Sequence, residues 1–195
     1  MSISIVTRPA AHPVTLTDVK DHLNVEHAEH DALIDTMIAS ATDYCEQYTC
    51  RDFIQRTWDY SLNKFSDPLK LPKNPVLSVA SVTYIDATAS PESQTVSTDV
   101  YALDSGVSPA VLYLNYGKTW PTPRTQRNAV TVRFTTGYTG LGSPQDLRGN
   151  VPEGVKTAIK MLVSDMYRYR ETRLDMQVYH NPTADVLLNP YRIYL

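Results

Sequence analysis

Three histidines, His22, His27 and His30, lie close together and are interleaved with Glu26, Glu29 and Asp31. Imidazole and carboxylate form the donor set of zinc and other transition metals. Their setting favours a plainer reading. His22 falls on a short helical pattern, and His27 and His30 fall in the polar stretch "EHAEHD", where solvated side chains are the default. The only cysteines, Cys45 and Cys50, are spaced neither as C-x-x-C nor as a zinc pattern. Cys45 belongs to the apolar stripe of a helix. Cys50 ends that helix with no adjacent base to activate it, so both are expected to be free thiols in a reducing cytoplasm. There is no G-x-S-x-G for a nucleophile elbow. "TGYTGLGS" has glycines but no following Lys-Ser/Thr and no G-x-G-x-x-G, and a Gly/Pro-rich linker separates it from the next helix. Nothing places two carboxylates in a cleft. The chain reads as non-catalytic, with no cofactor and no metal.

The elements that would position these residues fall into blocks. Residues 1–13 read as extended, with Pro9 and Pro13 as stops. Thr15 or Thr17 caps a short helix with Leu16, Val19 and Leu23 facing inward. Asp31 is the expected N-cap of a second helix, whose apolar positions Leu33, Ile34, Met37, Ile38, Ala41, Tyr44, Cys45 and Tyr48 follow a 3.6-residue period. From Ile54 the period changes to two. Trp58, Tyr60 and Leu62 share one strand face. Val76, Ser78, Ala80, Val82 and Tyr84 oppose Leu77, Val79, Ser81, Thr83 and Ile85, and Val130, Val132 and Phe134 oppose Thr131, Arg133 and Thr135. About five to seven strands are expected over residues 54–138. "VPEGVKTAIKMLVSDMYRYRETR" is then a helix with Pro152 in its first turn, Glu153 at the positive dipole end and arginines at the other.

The resulting expectation is an α+β fold. Residues 1–53 form an N-terminal helical part, and 54–138 an inserted antiparallel, sandwich-like β unit. Residues 139–175 form a linker and a long helix that packs on the N-terminal helices as a bundle, and 176–195 an extended tail.

The composition is that of a globular protein, with a net charge of −3 and an excess of tyrosine, 13 against 3 phenylalanines. Tyrosine suits half-buried sites and interfaces. No apolar run approaches the ~18 residues of a membrane span, no signal peptide is expected, and no basic run predicts sequence-specific nucleic-acid binding. The charge is unevenly distributed. Residues 1–50 carry Arg8 and Lys20 against Asp18, Asp21, Glu26, Glu29, Asp31, Asp35, Asp43 and Glu46, whereas residues 101–150 carry Lys118, Arg124, Arg127, Arg133 and Arg148 against Asp104 and Asp146. Either these are solvated faces, or acidic and basic surfaces meet between copies of the chain.

The segment "LLNPYRIYL" invites a separate question, because Asn189-Pro190 stops a helix and favours extended backbone around it. Tyr191, Ile193 and Leu195 then alternate with Arg192 and Tyr194 as in a strand. Such a segment can add to a sheet of another chain, with Arg192 available to an acidic partner. Alternatively it folds back on its own helices. On the first reading, removing Asn189–Leu195 leaves the fold intact.

The order of short patterns is itself informative. "PVTLTDVKDHL", "DALIDTMIASATDYCEQYTCR", "QRTW", "LPKNPVLSVASVTYID", "YGKTWP", "AVTVRFTTGY", "VPEGVKTAIKMLVSDMYRYR" and "LLNPYR" follow one another over nearly the whole chain. This series resembles the head–tail connector (adaptor) proteins of tailed bacteriophages and gene transfer agents, of the gp6-like or gp8-like type. One departure is Cys50, where such proteins more often have a small residue such as Gly. The resemblance implies a structural virion protein that assembles in the host cytoplasm. It implies a ring, typically of twelve copies, that sits beneath the portal, extends the DNA channel and docks a stopper, tail terminator or other tail protein. DNA would pass without specific binding. It further implies a portal-binding tail, here Leu187, Leu188, Pro190, Tyr191, Arg192, Ile193, Tyr194 and Leu195. Asp31, Asp35, Asp43, Glu46, Arg168, Arg170 and Arg173 are candidates for contacts between copies or with the channel lumen. The alternative is a ligand-binding β module on a virion, which requires an exposed aromatic platform from Trp58, Tyr60, Tyr84, Tyr113 and Trp120.

Overall fold

A computed structural model describes residues 1–88, 90–140, 146–169 and 182–193. The chain divides into two compact units, one holding Met1–Pro9 with Gln55–Tyr138, the other Ala10–Ile54 with the described residues that follow Tyr138. The fold is α+β with antiparallel sheets. The first boundary differs from the expected 1–53 block. The opening residues form strand β1 (Ser2–Thr7), which pairs with β2 (Arg56–Leu62), so they belong to the β unit although helices follow them in sequence. Pairing over fifty residues leaves no local signature, which is why pattern alone assigned them to the helices.

The β unit has two sheets. The first runs β1-β2-β8-β4-β5, with β4 (Val76–Ile85), β5 (Ser93–Thr95) and β8 (Val130–Thr136). The second runs β3-β7-β6, with β3 (Leu69–Lys70), β6 (Tyr101–Asp104) and β7 (Val111–Leu114). Strand β8 is central, and its alternate residues Val130, Val132, Phe134 and Thr136 are all fully buried. One apolar cluster draws on both sheets, joining Trp58, Val82, Val132 and Phe134 to Leu69, Tyr101 and Leu112. Strand β4 departs from simple alternation. Its register against β8 shifts between Val76 and Ser78 and again between Val79 and Ser81. Each bulge inserts a residue and turns the following side chains over. As a result Val76 and Val82 are buried and Val79 and Tyr84 pack on the same core, in place of the strict every-second-residue set. On the other face of the sheet, Arg133 forks onto Asp59 of the facing strand, with both bonds at 2.7 Å.

The second unit begins with α1 (Leu16–Leu23). Thr15 accepts from the Asp18 N–H at 3.0 Å and Asp18 accepts from the Thr15 N–H at 3.2 Å, which closes a reciprocal capping box. The Thr15 hydrogen bond holds the Asp18 carboxyl below its ordinary value. Helix α2 (Asp31–Thr49) starts after His30, which makes no side-chain cap; Asp31 is its first residue rather than its N-cap, and its carboxylate binds Lys20 at 2.6 Å. Ile34, Ile38, Ala41 and Cys45 are completely buried, against α3 (Glu153–Arg168) with its buried Val155, Ala158, Ile159 and Val163. Helix α4 (Pro182–Leu188) packs on α3 and α2 and runs into a 3-10 turn, Asn189–Tyr191. The segment expected to be extended is therefore helical up to Tyr191.

Helix α2 ends at Cys50, in the left-handed region at φ 55°. A side chain there strains against its own carbonyl, and glycine is the residue that avoids the strain. The Cys50 thiol offers little in return, a 3.7 Å contact with the Gln47 carbonyl. Cys50→Gly is expected to stabilise the protein by about 0.5–1 kcal/mol despite its extra unfolded-state entropy. Cys50→Val should destabilise it, and chemical denaturation of the pair measures both. Equal midpoints would show that the helix end relaxes around any residue.

Candidate functional site

The histidine group does not assemble a metal centre. His30 Nδ1 lies 2.6 Å from the Tyr167 hydroxyl, the His27 and His30 rings meet edge-on at 4.7 Å, and His22 is exposed. Among the described residues, no group of three His, Cys, Asp or Glu side chains is placed to hold a metal ion. His30 and Tyr167 instead join the loop before α2 to α3. Burial pushes the Cys45 thiol up to about 12, so a reactive thiolate does not form there near neutrality. Native protein at pH 8 is expected to take up one equivalent of a thiol reagent, at Cys50, and a second only on unfolding. Rapid native labelling of Cys45, read by peptide mass spectrometry, would contradict its burial.

The tail residues fall at the end of α2. The Ile193 N–H donates to the Thr49 carbonyl at 3.0 Å, and Arg51 Nε donates to the Tyr191 carbonyl at 2.6 Å. Tyr48 donates its hydroxyl to Asn189 Oδ1 at 2.7 Å, and Tyr44 donates to Asp185 Oδ1 at 3.1 Å. The Arg192 guanidinium lies 4.8 Å from the Tyr48 ring centre, within range of a cation–π attraction. Leu188 is fully buried and Ile193 is 6% exposed. The Tyr191 ring rests against Gly154, where an added Cβ would come within 3.3 Å of the ring and its hydroxyl. The strand-like reading of this segment is thus corrected: as far as Ile193, the chain folds back on its own helices. Backbone groups at a helix end need partners, and this segment supplies them. Pro190 and Arg192 stay exposed. Tyr194, Leu195, Arg170 and Arg173 lie outside the described residues.

A corrected expectation follows for truncation. Removing Asn189–Leu195 should lower the thermal midpoint, because it uncovers Leu188 and strips partners from Thr49 and Arg51. Ile193→Ala alone should cost about 2 kcal/mol, at the low end for a buried isoleucine because the segment can yield. A melt unchanged by the truncation would show that the docking contributes nothing to the fold.

The charged candidates also separate. Glu46 is buried and accepts the Phe53 N–H at 3.0 Å, so it faces its own chain and not a lumen or a neighbour. Asp31 is engaged by Lys20. Asp35, Asp43 and Arg168 are exposed, with His12 3.9 Å from Asp35. The aromatic platform does not form: Trp58, Tyr60, Tyr84 and Trp120 pack in or against the β core, Trp120 stacked on Phe65 at 4.7 Å, and only Tyr113 of the five is exposed. Tyr116, at the tip of the turn with Gly117 (φ 75°), is fully exposed. Pattern reading passed over it because turn tips carry no periodicity. It also missed an open groove of about 540 Å³ lined by Lys64, Arg124 and Arg127. The two arginines in "PRTQRN" were visible; their meeting with Lys64 was not.

Comparison with known proteins gives these surfaces a context. Residues 13–108 match the family model described as phage gp6-like head-tail connector protein. This match, over just under half of the chain, supports a head–tail connector of a phage-like particle. It is a structural virion protein and not an enzyme. Among solved structures, a chain in the neck of an empty GTA particle computed with C6 symmetry superposes with a TM-score of 0.76 at 18% identity, covering 100% of this chain and 97% of that one. A chain of the virion of a native gene transfer agent (GTA) particle gives 0.76 at 20% identity, and one in the neck of a native GTA particle computed with C12 symmetry gives 0.75 at 22%, each with the same coverage. At these identities the likeness establishes the shared fold, which spans both units of this connector. No curated protein matches the sequence.

Proposed function

We propose that this connector forms a closed ring at the head–tail junction, beneath the portal. The ring extends the DNA channel and offers its lower face to a stopper, tail terminator or other tail protein. The reading is supported chiefly by one observation: the family-model match over residues 13–108 coincides with a full-length structural match to chains in necks computed with C6 and C12 symmetry. A ring of identical copies needs a heterologous interface that closes. We take twelve copies as the number, with assembly in the host cytoplasm before the particle is complete. Within each copy the β unit acts as a rigid sandwich, and the helices act as a bundle that carries the tail. DNA passes without specific binding, which suits a chain of net charge −3.

The portal contact is assigned to the outward side of the C-terminal segment. Leu188 and Ile193 fix that segment on α2 and α3. Pro190 and Arg192, with Leu187, Tyr191, Tyr194 and Leu195, meet the portal. The backbone-addition mode is set aside for Asn189–Tyr191, whose carbonyls and N–H groups sit in a 3-10 turn.

Mixing the purified protein with portal and imaging in negative stain tests this directly. Rings of twelvefold symmetry seated on portal are expected. A protein that stays monomeric and ignores portal at micromolar concentration would refute the proposal. Portal must be present, because a ring interface can be too weak to close without a template.

A further inference from the structure

The five cations of residues 101–150 are not equally available once the chain is folded. Arg133 is held by Asp59, Lys118 by Asp99 at 2.5 Å, and Arg148 lies 3.8 Å from Asp146. Arg124 and Arg127 have no side-chain hydrogen bond or ion pair among the described residues, and neither does Lys64. These three line one open groove of about 540 Å³ at an edge of the β unit. The groove has a fixed frame. The Arg124 N–H donates to the Ile85 carbonyl at 2.8 Å, Pro123 bridges to Asp86, and the Asn128 N–H donates to Asn63 Oδ1 at 3.1 Å. Three like charges held around one concavity repel each other until an anion enters. Two of them are guanidinium groups, whose planar forks match carboxylates.

The complementary charges are in the same chain. Of the acidic residues of the N-terminal block, Asp18 is used in a cap, Asp31 by Lys20 and Glu46 by the Phe53 N–H. Asp21, Glu26 and Glu29 are exposed at the end of α1 and in the loop after it. Asp35, 3.9 Å from His12, and Asp43 are exposed on one helix, α2, about 12 Å apart along its axis. We infer that the groove of Lys64, Arg124 and Arg127 receives the Asp35 and Asp43 carboxylates of a second copy, which makes this pair of surfaces the heterologous contact that closes the ring. The inference rests on the ring reading above. It commits to carboxylates and not to DNA phosphates because identical copies in a ring must present two different, complementary faces, and the groove and the exposed carboxylates of α2 are opposite in charge.

Charge reversal with rescue tests it. Arg124→Glu/Arg127→Glu and Asp35→Lys/Asp43→Lys proteins are each mixed with portal, and the fraction of portals carrying rings is counted across protein concentration. Circular dichroism melts confirm folding. Each reversal should raise the concentration needed for rings by about tenfold or more. The quadruple variant should recover to within a few-fold of the native protein. If both reversals assemble like the native chain, or if the quadruple variant does not recover, the pairing is wrong although the ring stands. If the native chain itself forms no rings, the ring reading has failed instead. A labelled 30-base-pair duplex supplies the remaining arm. Should the arginine reversal abolish duplex binding and leave ring formation untouched, the groove serves nucleic acid and the inference is overturned.

Discussion

The end of helix α2 is the constraint on which the helical unit depends. A helix leaves its last carbonyls without intrahelical partners, and a buried end must find donors elsewhere. Here the Glu46 carbonyl accepts from Cys50 and Arg51, and the Thr49 carbonyl accepts from Ile193. The Glu46 side chain turns back to hold the Phe53 N–H. Satisfying this one helix end therefore fixes both the chain leaving α2 and a segment some 140 residues later. Tyr44 and Tyr48 add hydroxyl donors one turn apart, and Gly154 leaves room on α3 for the Tyr191 ring. The excess of tyrosine thus serves internal docking at several points, where an apolar face with a polar tip is required.

The β unit is organised by strand β8, buried on its inner face along its whole length and paired on both sides. Trp58 Nε1 donates to Thr136 Oγ1 at 3.0 Å, which satisfies a polar group that the core would otherwise strand. Strand β1 lies at the edge of the same sheet. All six of its residues are exposed, Ile3 and Ile5 among them, although they sit opposite Tyr60 and Trp58.

Charge in this chain has two uses, and the structure sorts them. Asp59–Arg133 and Asp99–Lys118 join strands and loops within the β unit, and the Lys118 hydrogen bond draws the Asp99 carboxyl below its ordinary value. Such exposed pairs add little stability each. They leave Lys64, Arg124 and Arg127, around one groove, without a side-chain partner among the described residues.

Much was legible in the sequence because it depends on local periodicity. The 3.6-residue stripes of α2 and α3, the two-residue alternation of Trp58–Leu62 and Val130–Phe134, the Thr15 cap and the order of motifs that marks the family are all carried by neighbours along the chain. Three things were decided only in three dimensions. Strand β1 joined the sheet by pairing with a distant strand, and the β4 bulges reset which valines face the core. The Asn-Pro segment, extended by its local preference, was turned into a 3-10 turn and docked because the α2 end required donors and Leu188 and Ile193 required cover. In each case the deciding energy comes from groups far apart in sequence. Local propensity, worth tenths of a kilocalorie to about one per residue, yields to such burial and hydrogen bonding.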